Sequence, residues 1–162
     1  MRKSNSSQTT FAEITIHNNE FRLVRLLHNK YNENMSGRID ISKLKVPPEK
    51  HELETARYFA SLGRDIEFIP PNNSPKMHTA DIVMDGIPWE IKCPRGKSKR
   101  TVENNFRKAN KQSENIIFDL RKIKLSEATC LSQLKKEFDF RPHVKRLLVI
   151  KKNNKLISFS RK

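Results

Sequence analysis

Several things are scarce in this chain, and each scarcity excludes something. Its 162 residues include only two cysteines, Cys93 and Cys130. A pair supplies neither a disulfide framework nor enough thiolates for a structural zinc site, so both read as small side chains in a reducing compartment. Of the five histidines, no two stand at a metal-ligand spacing. No apolar run is long enough to span a bilayer. The opening MRKSNSSQTT has basic residues with no apolar segment behind them, so it does not read as a secretory signal. There is no internal repeat. Acid is scarce as well: 18 Asp and Glu stand against 33 Lys and Arg, a formal charge of +15. Such an excess predicts affinity for a polyanion, with nucleic acid the first candidate and a membrane surface the second. The length supports one ordinary domain with room for an appendage.

What is present centres on TADIVMDGIPWEIKCP, residues 79–94. Asp85-Gly86 is a dipeptide favoured in type I′ turns, so the stretch reads as a tight hairpin. With those two residues at the turn, Met84 faces Ile87, Val83 faces Pro88, Ile82 faces Trp89 and Asp81 faces Glu90. Alternation puts Asp81, Val83, Glu90 and Lys92 on one face, and Ile82, Met84, Trp89 and Ile91 on the other. The two carboxylates then oppose each other at a non-hydrogen-bonded pair, where strands come closest and like charges destabilise. A hard divalent cation, Mg²⁺ or Mn²⁺, would remove that penalty. Lys92 lies on the same face, within reach of whatever the cation holds.

Before the hairpin, Pro47-Pro48-Glu49 opens a helix expected to run to about Leu62, with Gly63 as its stop. Its apolar positions are Leu53, Ala56, Phe59, Ala60 and Leu62. Glu52 projects from the edge of that stripe, where a carboxylate needs a partner. Further expectations are a strand at 66–69 and a Pro- and Asn-rich loop at 70–78. That loop brings His78 and Thr79 beside Asp81. A basic loop at 94–100 leads into a helix at 101–113 that buries Val102, Phe106 and Ala109. A strand follows at 115–120, then a helix from near Ser126 with Cys130, Leu131, Leu134 and Phe138 inward. A terminal hairpin of 145–151 and 156–159 turns at Asn153-Asn154. Residues 1–45 read as an N-terminal extension of unassigned role, with a short strand at 11–17 and a helix at 20–31. Residues 46–162 read as the principal domain.

The ordered set of a helix Glu (Glu52), a strand, Asp81 and then Glu90-Ile91-Lys92 resembles the PD-(D/E)XK nuclease superfamily. More narrowly, HELETARYFASLGRDIEFI, TADIVMDGIPWEIKCPRG and ANKQSENIIFDLR resemble the C-terminal tRNA-nuclease domain of contact-dependent-inhibition (CdiA-type) toxins, over roughly residues 48–160. One departure is Ala80, where the superfamily carries Pro. Those toxins also end very long secreted proteins, whereas this chain is short and starts at Met1, which leaves its delivery route open. The resemblance implies an α+β fold with an αβββαβ core, extended by a helix and a C-terminal hairpin. It implies a nuclease, tRNA favoured and DNA open, acting in the cytoplasm. An immunity protein, if there is one, would be acidic. Asp81, Glu90 and Glu52 would hold the cation, with Lys92 completing the catalytic set. Arg95, Lys97, Lys99, Arg100 and Lys108 would take backbone phosphates, joined by His78, Thr79 and, by resemblance alone, Gln112. If the attacking group is an RNA 2′-hydroxyl, the cation becomes dispensable. The competing readings are a DNA endonuclease of restriction or resolvase type on the same scaffold, and a non-catalytic nucleic-acid-binding module. The second has no need for acids facing phosphate.

Overall fold

The computed structural model describes residues 36–71 and 79–161. The strand and helix expected within residues 1–35, and His78, lie outside that range. Among the described residues, a seven-stranded sheet runs in the order β1 to β7. The strands are β1 (Ile39–Asp40), β2 (Ile66–Phe68), β3 (Ile82–Met84), β4 (Ile87–Lys92), β5 (Asn115–Asp119), β6 (Arg146–Ile150) and β7 (Leu156–Ser160). Three helices, α1 (Lys50–Ser61), α2 (Thr101–Ala109) and α3 (Glu127–Phe140), fall between β1 and β2, β4 and β5, and β5 and β6. The fold is a mixed α+β domain. Hairpins join β2–β3–β4 and β6–β7 antiparallel, while β4, β5 and β6 are parallel across the two helical crossovers. From α1 onward the element order is the expected one. One strand was not foreseen: Ile39–Asp40 pairs parallel with Ile66–Glu67, so the stretch before Lys45 supplies a sheet edge.

Each face of the sheet buries its own core. Ala56, Phe59 and Ala60 of α1 pack with Ile82, Met84, Trp89, Ile91, Ile117 and Ile150. On the other face, α2 and α3 pack with Ile116, Phe118, Leu147 and Val149. Adjacent residues such as Ile116 and Ile117 therefore enter different cores, as alternation along a doubly covered strand requires.

The hairpin has the expected register, Ile82 with Trp89, Val83 with Pro88 and Met84 with Ile87. Asp85 and Gly86 both take positive φ, 53° and 74°, as a type I′ turn demands. Pro88 is tolerated in this interior strand because its flank towards β5 lies before β5 begins. Its carbonyl accepts from the Asn115 side-chain Nδ2 at 3.1 Å and the Ser113 hydroxyl at 3.2 Å.

Helix α1 closes with Gly63 at φ 80°, its amide on the Ala60 carbonyl and the Arg64 amide on that of Phe59. That pairing is a Schellman motif, and it satisfies carbonyls the helix end would otherwise leave open. Two expectations are corrected here. Leu62 is 53% exposed, because it sits at the C-cap, past the last turn facing the sheet. Helix α2 ends at Ala109, not Ser113: the amides of Gln112 and Ser113 turn back to the Ala109 carbonyl, which delivers Ser113 to Pro88. Gln112 thus lies in a turn beyond the helix.

Candidate active site

Asp81 lies one residue before β3, where the pairing with β4 has ended. Its amide donates to the Trp89 carbonyl at 3.0 Å, and its carbonyl accepts from the Ile69 amide at 2.9 Å. Its carboxylate accepts from the Ile91 amide at 2.7 Å, a donor that β3 is too short to reach. Asp81 is therefore not a further rung opposite Glu90. It stands in for the missing rung with its side chain, and this holds its carboxylate beside β4.

Glu90, expected on one face with Asp81 and Lys92, is 0% exposed. Helix α2 packs over that face of β4, a contact no local pattern predicts. Lys92 pairs with Glu90 Oε1, whereas Oε2 is buried without a hydrogen-bond partner among the described residues. Burial, and after it the Asp81 charge, push the Glu90 carboxyl up to about 8; the Lys92 ammonium pulls the other way without offsetting them. Asp81 is also raised, chiefly by burial. Glu52 is raised by burial and then by Asp81, while its carboxylate accepts from the Glu49 amide at 3.2 Å as part of the helix start. The Asp81 charge thus disfavours charge on both Glu52 and Glu90.

Glu52 and Asp81, but not Glu90 or Lys92, line a cleft of about 810 Å³ together with Thr79 and Gln112. Thr79 and Gln112 thus reach the neighbourhood the sequence reading gave them. Arg95, Lys97, Lys99, Arg100 and Lys108 are exposed on the loop after β4 and on α2. None of the five has an acidic partner among the described residues. The donor set that fits a hard cation is the Asp81–Glu90 pair with its orphaned Oε2. Among the described residues no three His, Cys, Asp or Glu side chains converge closely enough to hold an ion by themselves.

One buried polar cluster had no counterpart in the sequence reading. Asp119, at the end of β5, takes Arg121 Nε at 2.9 and 3.0 Å, the Arg121 amide at 3.0 Å and the Thr55 hydroxyl at 2.9 Å. Arg121 also donates to the Glu54 carbonyl and lies 5.4 Å from the Tyr58 ring centre. The cluster pins α1 to the strand ends, and with it Glu52. Cys93 joins through Thr55 at 3.3 Å, and burial pushes its thiol up to about 12. An acid closing an otherwise apolar run, NIIFD, was the available signal.

The described residues thus form a basic, mixed α+β domain in which Glu52 and Asp81 line a cleft and Glu90 is buried close to Asp81. Residues 78–156 match the family model described as the contact-dependent growth inhibition CdiA C-terminal domain. That stretch holds Asp81, Glu90, Lys92, the basic loop and Gln112, but not the helix bearing Glu52. The fold is similar to a solved chain from the CdiA-CT/CdiI toxin and immunity complex from Burkholderia pseudomallei, with a TM-score of 0.58. Identity is 19%, over 77% of this chain and 100% of that one, so the likeness is one of fold. No curated protein matches the chain. Among the described residues, no helix is long and apolar enough to cross a membrane.

Proposed function

We propose that this chain is a toxin domain of the contact-dependent-inhibition type that cuts phosphodiester bonds, tRNA by preference, on a PD-(D/E)XK-like core. The observation that carries the reading is the fully buried Glu90 set against Asp81, with one oxygen left unsatisfied. A fold that only needed stability would not bring two carboxylates together out of water, because each raises the cost of the other's charge.

Asp81 and Glu90 would hold Mg²⁺ or Mn²⁺, which when bound polarises a phosphate and lowers the pKa of a water. The Ile91 amide fixes the Asp81 carboxylate in place. Lys92, two residues beyond Glu90 and partly exposed, meets charge developing on phosphorus. Glu52 takes or releases a proton at the cleft floor, or attracts a second cation. The basic loop after Lys92 receives the flanking phosphates. Action in the cytoplasm and restraint by an acidic immunity protein complete the reading. The similar solved chain comes from a toxin and immunity complex, and a charge of +15 suits an acidic partner.

The test is incubation of the purified chain with total tRNA, plasmid and single-stranded DNA, with Mg²⁺ or with EDTA. Cleavage of tRNA that Lys92→Ala removes is the expected result. Cutting of plasmid alone would move the chain to the DNA endonuclease reading. Binding of all three without cutting would leave a nucleic-acid-binding module.

A further inference from the structure

The cleft differs in chemistry from the rest of this basic surface. Its described lining carries two lysines, Lys43 and Lys45, against three carboxylates, Glu49, Glu52 and Asp81. Lys43 is already engaged, at 2.5 Å from Glu67. Beyond the reach of a cation at Asp81 and Glu90, this lining would repel a phosphate, whereas the exposed Arg95, Lys97, Lys99 and Arg100 lie on a separate loop. The walls are apolar and stiff. Leu44, Val46 and the Pro47-Pro48 pair come from the segment before α1, and Pro70-Pro71 from the segment after β2. Val46 is 73% exposed, a large apolar side chain with nothing packed over it. Proline rings are fixed in shape, so a flat apolar ligand orders them at little entropic cost. Gln112 adds one amide that both donates and accepts. A volume of about 810 Å³ suits one compact group of small-molecule size, not a double helix.

We infer that the cleft between the Leu44–Pro48 segment and Pro70-Pro71 is a nucleobase pocket: it takes a single unstacked base while the phosphate to be cut sits at the Asp81–Glu90 pair and the flanking phosphates run to the basic loop after β4. The inference rests on the phosphodiesterase reading and narrows it to single-stranded or extruded positions. An unstacked base is neutral, presents two flat apolar faces to the walls and offers an edge to the Gln112 amide. A base held in a duplex offers neither face.

The test uses the full chain carrying Glu90→Gln, so that nothing is cut, and a short single-stranded RNA with 2-aminopurine at each position in turn. Binding should raise the fluorescence at one position as that base leaves its stack, and the same RNA sealed in a duplex should give no rise. Val46→Glu, exposed enough to leave the far-UV dichroism and melting unchanged, should cost the single strand about tenfold in affinity and remove the rise. Duplex affinity, carried by the basic loop after β4, should stay the same. An equal rise with the duplex, no rise at any position, or a Val46→Glu protein that still shows the rise would overturn the pocket. Cleavage by the unsubstituted chain is read separately. An inactive chain that still unstacks the base refutes the nuclease reading alone, and an active one that unstacks none refutes the pocket alone.

Discussion

Two neighbouring parallel strands each carry a buried carboxylate, and the two are treated in opposite ways. Asp119 on β5 is 6% exposed and is met by a guanidinium, an amide and a hydroxyl; those bonds outweigh its burial and hold its carboxyl below the usual range. Glu90 on β4 is 0% exposed and receives one lysine and a neighbouring acid, and its carboxyl rises to about 8. Burial is common to both, so burial does not decide the state. Satisfied hydrogen bonds make Asp119 part of the framework, and the shortfall at Glu90 marks a place prepared for a cation or a proton.

The sharpest way to break this comparison is to remove each acid in turn. Asp119→Ala leaves Arg121 without its partner and should cost about 3–5 kcal/mol in chemical denaturation. Glu90→Gln, of nearly the same shape, should be neutral or stabilising without divalent cation, while cleavage falls at least about a hundredfold. Equal destabilisation by both would make Glu90 a framework residue like Asp119.

The pH dependence of stability separates the two acids by sign. Glu90 is raised from 4.5, so the folded state keeps a proton that the unfolded chain releases. Without divalent cation, its contribution is complete below about pH 4.5 and is lost as the pH rises to about 8. Asp119 is lowered from 3.8, so its contribution is present above that value and disappears as the pH falls below it. Denaturation midpoints across this range should decline from weakly acid to weakly alkaline pH, and Glu90→Gln should flatten that limb without touching the acid one. A limb that keeps its slope in Glu90→Gln would put the raised group elsewhere.

A smaller effect is expected at Asp81. An asparagine oxygen can still accept from the Ile91 amide, so Asp81→Asn should fold at least as well as the parent. Any gain in melting temperature on adding Mg²⁺ or Mn²⁺ should vanish with the substitution. A gain that survives would move the cation away from the pair. Smallest is the effect of neutralising Arg95, Lys97, Lys99 and Arg100. Substrate affinity in a Glu90→Gln background should become less steep in salt by up to about one unit per phosphate contact removed, with the bond cut in an active background unchanged. An unchanged slope would leave the loop a solvated surface and shift the substrate track to Arg107, Lys108 and Lys111.

The sequence by itself determined what rests on neighbours in the chain. Asp85-Gly86 fixed the hairpin register because only residues at ease with positive φ close a two-residue turn matched to the strand twist. Gly63 fixed the end of α1 for the same steric reason. Spacing of apolar residues identified Val102, Phe106 and Ala109, and Cys130, Leu134 and Phe138, as buried faces. Tertiary structure decided what depends on contacts between distant segments. The burial of Glu90 comes from α2 lying over β4, not from anything in WEIK. The place of Asp81 off the ladder reflects where β3 begins, and the Thr55–Asp119–Arg121 cluster joins residues 64 positions apart. The wall from Leu44 to Pro48 was legible only as the start of a helix at Pro47-Pro48, and that it shares a cleft with Asp81 is a contact between distant segments, beside the unforeseen pairing of β1 with β2. Local sterics are written in short words of sequence. The solvation of a carboxylate is a sum over everything packed around it, and only the assembled fold supplies that sum.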